Sequence, residues 1–226
     1  EDHFISLWED AHDLLFYQII GKAESALSRS VDLLLNQRYL GKLPLPHTGL
    51  TFLKSLKGTG KTTSLEEAVD EAIKTGRPVL LITHRIQLGK YICDKLGLYW
   101  LTEDVDPAGE RHLGLCADSL WRVNPENFKN AIIIVDEIEQ VIWHTLGGST
   151  CYSRRTQILK NFTDLIRTIC STAGLFIGLD ADLSDRTIDY IAELANQRIR
   201  PWVCVNEWKP EKEQAKAKFY FFKNPA

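Results

Sequence analysis

With 226 residues, of which 44% are hydrophobic, the chain is long enough for one large α/β domain with a small appendage, and two full domains would be a squeeze. Lys and Arg number 27 against 30 Asp and Glu, which excludes a uniformly basic nucleic-acid coat protein and makes any nucleic-acid contact a local matter.

The chain opens on Glu1-Asp2-His3, acidic where a signal peptide is basic. From Phe4 to about Gln37 the apolar residues recur at helical spacing, with a break at Gly21, and Ala26, Val31, Leu34 and Leu35 continue the stripe. Two helices are expected there, as an N-terminal helical extension over residues 1–46. The alternating prolines of Leu43-Pro44-Leu45-Pro46 form a stiff connector and mark a subdomain boundary. A main domain is expected over residues 47–205.

Leu50-Thr51-Phe52-Leu53 is a strand that leads into Ser55-Leu56-Lys57-Gly58-Thr59-Gly60-Lys61-Thr62-Thr63. Gly58 and Gly60 let the backbone curl so that N–H groups and the start of the next helix face phosphate oxygens. Lys61 would reach the β/γ-phosphates of a nucleoside triphosphate and the Thr62 hydroxyl would ligate Mg²⁺. The pattern G-x-x-x-x-G-K-[ST] asks for Gly where this chain has Ser55, a small residue.

Thr62 to Lys74 reads as a helix ended by Gly76, and Val79-Leu80-Leu81-Ile82 as a strand buried on both faces, the mark of a parallel sheet. That strand delivers Thr83, His84 and Arg85 to its carboxyl end, where open α/β sheets meet ligands, and Ile86 to Leu96 is the next helix. The three side chains suit a phosphate backbone; alternatively Thr83 caps the helix and Arg85 is a solvated charge. Glu103 to Glu110 is a surface loop. His112 to Cys116 is a strand ending in Ala117-Asp118-Ser119, again polar groups at a strand end.

Ala131-Ile132-Ile133-Ile134-Val135 is a rigid aliphatic stem for Asp136-Glu137-Ile138-Glu139. Asp136 would bind Mg²⁺ and Glu137 would orient and deprotonate an attacking water. The plainer alternative is a pair of acids that begins a helix. Thr156 to Ala173 is amphipathic, and Gly174 to Leu179 is a strand ending in Asp180-Ala181-Asp182-Leu183-Ser184, with Ser184 as cap of a helix over Asp185 to Gln197. Pro201 to Val205 is a last strand, and residues 206–226 read as a linker or the start of a truncated second domain. The five cysteines (Cys93, Cys116, Cys151, Cys170, Cys204) lack C-x-x-C spacing, which points to reduced core thiols. No apolar run reaches the length of a membrane span, so no membrane partner and a cytoplasmic location are expected. The chain has no methionine, not even at position 1, and this reads as an internal piece of a longer polypeptide.

The order S-L-K-G-T-G-K-T, L-L-I-T-H-R, G-L-C-A-D-S-L, I-I-I-V-D-E-I-E and G-L-D-A-D-L resembles motifs I, Ia, Ib, II and III of the first RecA-like domain of superfamily 2 helicases. The combination of K-G-T-G-K-T, T-H-R, D-E-I-E-Q-V-I-W-H and L-D-A-D-L-S-D is most similar to the helicase region of cyanobacterial plasmid replication proteins, and more distantly to herpesvirus origin-binding proteins. The resemblance covers about Thr51 to Val205. It implies an α/β P-loop NTPase fold with a RecA-like, mainly parallel sheet sandwiched by helices. The implied function is the ATP-binding half of a DNA-dependent ATPase and helicase in plasmid replication, with ATP and Mg²⁺ as cofactors. Single-stranded DNA or an origin duplex would be the partner, together with a second RecA-like domain in the same longer chain. In that family Lys61 and Glu137 are catalytic, Ser55, Lys57, Gly58, Thr59, Gly60, Lys61, Thr62 and Thr63 hold the nucleotide, and Thr62 and Asp136 hold the metal. Thr83, His84, Arg85, Asp118, Ser119, Asp180 and Asp182 would serve nucleic-acid contact and coupling, the last two standing where other helicases carry Ser-Ala-Thr. A hydrogen-bonding link from these two acids to the DExx motif is expected over direct DNA contact. The second domain would bring an arginine finger, typically worth about 10³–10⁵ in rate, so the isolated piece is expected to bind nucleotide and hydrolyse it weakly. A nucleotide-dependent DNA-binding scaffold and a P-loop kinase are the alternatives.

Overall fold

The computed structural model describes residues 27–104, 106–196 and 199–210. Eight strands form one sheet: β1 Leu33–Leu35, β2 Gly49–Lys54, β3 Val79–Thr83, β4 Tyr99–Trp100, β5 His112–Cys116, β6 Ile132–Asp136, β7 Leu175–Asp180 and β8 Trp202–Asn206. Their order is β1-β8-β2-β7-β6-β3-β5-β4 and every neighbouring pair is parallel. The α-helices among the described residues are α1 Glu66–Lys74, α2 Ile86–Leu96, α3 Ile138–Gly147, α4 Arg155–Ser171 and α5 Asp185–Leu194. This is the α/β P-loop NTPase architecture of RecA-like type.

Strand periodicity divides the core into two layers. Phe52, Leu80, Ile82, Ile133, Val135 and Phe176 pack with α3, α4 and α5 through Val141, Ile158, Phe162, Leu165 and Ile188. Their chain neighbours Leu53, Leu81, Ile132, Ile134 and Ile177 point the other way, onto Leu65, Val69 and Ala72 ahead of and along α1 and onto Ile92 and Leu96 of α2. With helices on both faces, the central strands are apolar throughout, which is why they read as continuous hydrophobic runs.

The connection from β2 passes over the places later filled by β7 and β6 and lands at β3. In register, Lys54 pairs with Asp180 and Asp136 with Leu179, so β2, β7 and β6 end side by side. Their carboxyl ends therefore present the phosphate loop, the 180–184 turn and the acidic pair as neighbours.

Three details differ from the sequence expectation. The helical stripe read through Val31, Leu34 and Leu35 is instead the edge strand β1, paired to β8 and so bridging the boundary expected at Leu43 to Pro46. Leu33-Leu34-Leu35 is a short apolar run that periodicity alone cannot assign to helix or strand, and in the strand Leu34 is the outward residue. The helices expected before residue 27, and most of the segment expected as a linker, lie outside the described residues. The helix expected from Thr62 begins as a 3₁₀ turn, Thr63–Leu65, and becomes α-helical only at Glu66. The edge strand β4 is too short to announce itself, but it is anchored by Trp100. That ring packs against Gly89 of α2, where an added Cβ would overlap it.

Candidate active site

The phosphate loop follows β2 directly. Gly58 and Gly60 lie at φ +77° and +83°, a region open to glycine at little cost. Ser55 has no such backbone, so the missing glycine is not needed for the turn. Its hydroxyl is buried, 2.7 Å from Thr59 Oγ1, and accepts a hydrogen bond from Asn206 Nδ2 at 3.1 Å. Thr59 Oγ1 donates to the Leu56 carbonyl at 2.8 Å. Ser55 and Thr59 thus brace the loop from inside, and their side chains are not free to hold a ligand. Asn206 extends the brace to the segment before β2, donating to the Gln37 carbonyl at 2.8 Å and accepting from its N–H at 3.0 Å. The N–H of Leu40 donates to the Thr59 carbonyl at 3.0 Å. Asn206 was missed in the sequence, although a polar residue closing the run Trp202 to Val205 is the same signal that marks the other strand ends.

Lys61 is folded back on the loop, its ammonium donating to the carbonyls of Ser55 at 2.7 Å and Leu56 at 3.2 Å. Burial lowers its pKa, while Asp136, Asp180 and Glu137 nearby pull it up. Asp136 is buried and its pKa is pushed up to about 6, chiefly by burial and further by Glu137 and Asp180, with Lys61 opposing. Burial likewise raises Asp180. Three acids and one lysine in a shielded site form an electrostatic arrangement that an added cation relieves. Thr62 and Asp136 are neighbours across a narrow, mainly apolar gap that has no room for a water molecule. Among the described residues no three His, Cys, Asp or Glu are grouped as a metal cage. One carboxylate and one hydroxyl suit a Mg²⁺ ion that takes its remaining oxygens from phosphates and water.

Glu137 stands between β6 and α3 with φ 52° and ψ 54°, a left-handed backbone that costs a non-glycine residue about 1 kcal/mol or more. Its carboxylate lies 3.2 Å from Lys57 Nζ on one side, and 3.7 Å from both His84 Nε2 and Arg85 Nε on the other. The sequence-predicted loop and acidic pair therefore meet, and the β3–α2 turn joins them. Arg85 is exposed, donating to His84 Nε2 at 2.9 Å and to Gln140 Oε1 at 3.3 Å.

Asp180 joins the acidic motif through hydrogen bonds. Its Oδ2 accepts from Glu139 N and its Oδ1 from Asp182 N, both at 2.9 Å. Glu139 Oε1 in turn accepts from Ser184 N at 2.8 Å and Ser184 Oγ at 2.7 Å, while Ser184 Oγ also caps α5 by accepting from Thr187 N. Asp182 is exposed. Thr83, expected among the nucleic-acid contacts, is fully buried; its Oγ1 accepts from Arg85 N at 3.4 Å, so it shapes the turn and offers nothing to solvent. Asp118 and Ser119 are half-buried in a 3₁₀ turn after β5, where burial and the neighbouring Asp118 raise the pKa of Cys116 to about 12. Thr63 is exposed at the head of the first turn and accepts from Lys95 Nζ, away from the loop interior.

No protein-family model matches the chain. It is 36% identical over 206 residues to an uncharacterized protein of Picosynechococcus sp. (strain ATCC 27264 / PCC 7002 / PR-6), a match covering 86% of this chain and 21% of that protein. It is 25% identical over 164 residues to the replication origin-binding protein of varicella-zoster virus (strain Dumas), covering 69% of this chain and 19% of the viral protein. The chain thus spans about a fifth of the length of these relatives. Among solved structures it is similar to a DEAD box protein from Methanococcus jannaschii, with TM-score 0.47 and 12% identity over 70% of this chain and 45% of that one. It is also similar to the Sulfolobus solfataricus SWI2/SNF2 ATPase core in complex with dsDNA, with TM-score 0.42 and 16% identity over 59% of this chain and 28% of that one.

Proposed function

We propose that this chain is the ATP-hydrolysing half of a DNA-dependent motor, a helicase-type ATPase acting in DNA replication. The observation that carries the reading is the meeting of Glu137 with the phosphate loop, its carboxylate 3.2 Å from Lys57 Nζ, beside a buried Asp136 that has Thr62 as a neighbour. A carboxylate so placed can take a proton from water attacking the terminal phosphate. Lys61 would turn its ammonium from the Ser55 and Leu56 carbonyls to phosphate oxygens, replacing neutral acceptors with charged ones. Thr62 and Asp136 would hold Mg²⁺, which neutralises phosphate charge when bound. The viral relative, by its name an origin-binding replication protein, supports DNA as partner and replication as setting. A second RecA-like domain would supply the opposite wall of the site.

The test is ATP turnover by the intact protein with and without DNA. Stimulation by DNA, and a loss of about 10²–10⁴ in Glu137→Gln with nucleotide binding retained, are expected. Turnover indifferent to DNA would point to the kinase reading, and replication unaffected by Glu137→Gln would point to a scaffold.

A further inference from the structure

Two buried polar atoms in the site have no hydrogen-bond partner, and they belong to facing residues: His84 Nδ1 and Glu137 Oε2. Unpaired buried polar atoms are costly, so their occurrence in one contact calls for a reason. Arg85 supplies it. A guanidinium can only donate, so at 2.9 Å from Arg85 Nε the His84 Nε2 atom must be the acceptor. An imidazole that accepts at Nε2 is the neutral ring with its proton on Nδ1, where nothing receives it, and burial, which lowers its pKa, favours the same form. With Nε2 occupied as an acceptor, His84 cannot donate to Glu137 Oε2, although the two atoms are 3.7 Å apart. Arg85 thereby blocks a His84 hydrogen bond that would orient Oε2, the carboxylate oxygen not paired with Lys57.

Apart from the 2.9 Å bond to the neutral His84 ring, the contacts that keep Arg85 there are long. Its Gln140 bond is 3.3 Å long and its approach to Glu137 3.7 Å, whereas a guanidinium on a phosphate makes charge-assisted bonds of about 2.7–2.9 Å. Arg85 is also the exposed member of the group, with 55% of its side chain open to solvent against 14% for His84 and 12% for Glu137. A phosphodiester chain at this sheet edge can draw it away while the other two stay in place.

We propose that His84 is a positioning residue for the general base Glu137, and that Arg85 holds the pair apart until a nucleic-acid phosphate takes its guanidinium. Once Arg85 is withdrawn, the His84 proton moves to Nε2 by exchange with solvent and is donated to Glu137 Oε2, turning the other carboxylate oxygen to water. No net charge is gained or lost by the imidazole. Nucleic-acid binding and hydrolysis are then linked inside this one domain. The inference rests on the hydrolytic reading of Glu137 given above.

ATP turnover of the intact protein, with and without single-stranded oligothymidylate, tests it in four variants. Arg85→Ala should raise DNA-free turnover by about fivefold or more and abolish further stimulation, the size of an ordinary coupling between sites. His84→Ala should lower DNA-stimulated turnover by about tenfold or more, the rate equivalent of one hydrogen bond to a charged group, with KM for ATP and DNA affinity unchanged. His84→Gln, whose side-chain amide can reach the same donor position, should restore most of it. Arg85→Ala that weakens DNA binding and leaves DNA-free turnover at the wild-type level overturns the proposal, as does His84→Ala with unaltered stimulation. Glu137→Gln separates the two levels. If it leaves turnover intact the hydrolytic reading itself fails; if it abolishes turnover while Arg85→Ala has no effect on the DNA-free rate, only the present inference fails.

Discussion

Asp180 and Glu139 hold each other's motifs in place: the Asp180 carboxylate accepts from the Glu139 N–H at 2.9 Å, while the Glu139 carboxylate accepts from Ser184, four residues beyond Asp180. The start of α3 is thereby locked to the turn before α5, and a movement of either is carried to the other. Burial raises the pKa of Glu139, and the Ser184 and Thr187 bonds oppose that rise.

Glu139→Ala leaves Ser184 N and Oγ without their acceptor and should cost about 1–3 kcal/mol in unfolding free energy, measured by urea denaturation. DNA stimulation of turnover should fall more than nucleotide affinity. Equal losses in both would show that the bracket only stabilises the fold.

Ser55→Gly restores the missing glycine of the phosphate-loop pattern and should nonetheless be harmful. It removes the hydroxyl that links Thr59 to Asn206 and loosens a backbone that needs no positive φ. A loss of about 1–2 kcal/mol of stability and weaker nucleotide binding are expected. Calorimetry with a slowly hydrolysed ATP analogue checks the second point, and tighter binding would contradict the bracing role of Ser55.

Asp136 sets a pH dependence. Its folded pKa, about 6, lies above its ordinary 3.8, so the folded state holds the proton more tightly between these values. Stability from this group is therefore present below about pH 4 and is lost as pH rises through 6, by an amount on the order of 3 kcal/mol. In chelator, Asp136→Asn should be more stable than wild type at pH 7, and the difference should shrink towards pH 4. Melting temperatures at the two values measure this. Mg²⁺ with nucleotide should stabilise the wild type and much less the variant.

Gly89→Ala places a methyl group into the Trp100 ring, which holds the edge strand β4 against α2. Overpacking of this kind costs about 1–3 kcal/mol, more than the gain in helix propensity from replacing glycine. Thermal unfolding should show the loss, and Trp100→Leu in the same chain should recover part of it.

The amino-acid sequence by itself determined the central strands, the helices behind them and the positions of Lys61, Asp136 and Glu137, because a strand buried on both faces must be apolar until it reaches the edge where the ligand-facing residues begin. It also pointed to a hydrogen-bonding link between Asp180 and the acidic motif, and that link is seen at Glu139 N. What only the tertiary structure decided is set by strand order. β1 pairs with a strand about 170 residues later in the chain, a non-local contact that three leucines cannot declare, and so the segment reads as helix. Thr83 and Arg85 differ by two residues and share a turn, yet one is sealed beneath α2 and the other open to solvent. The left-handed backbone of Glu137, its cationic neighbours from two separate loops and the orphaned nitrogen of His84 arise because parallel strands end side by side, bringing together residues that no spacing relates.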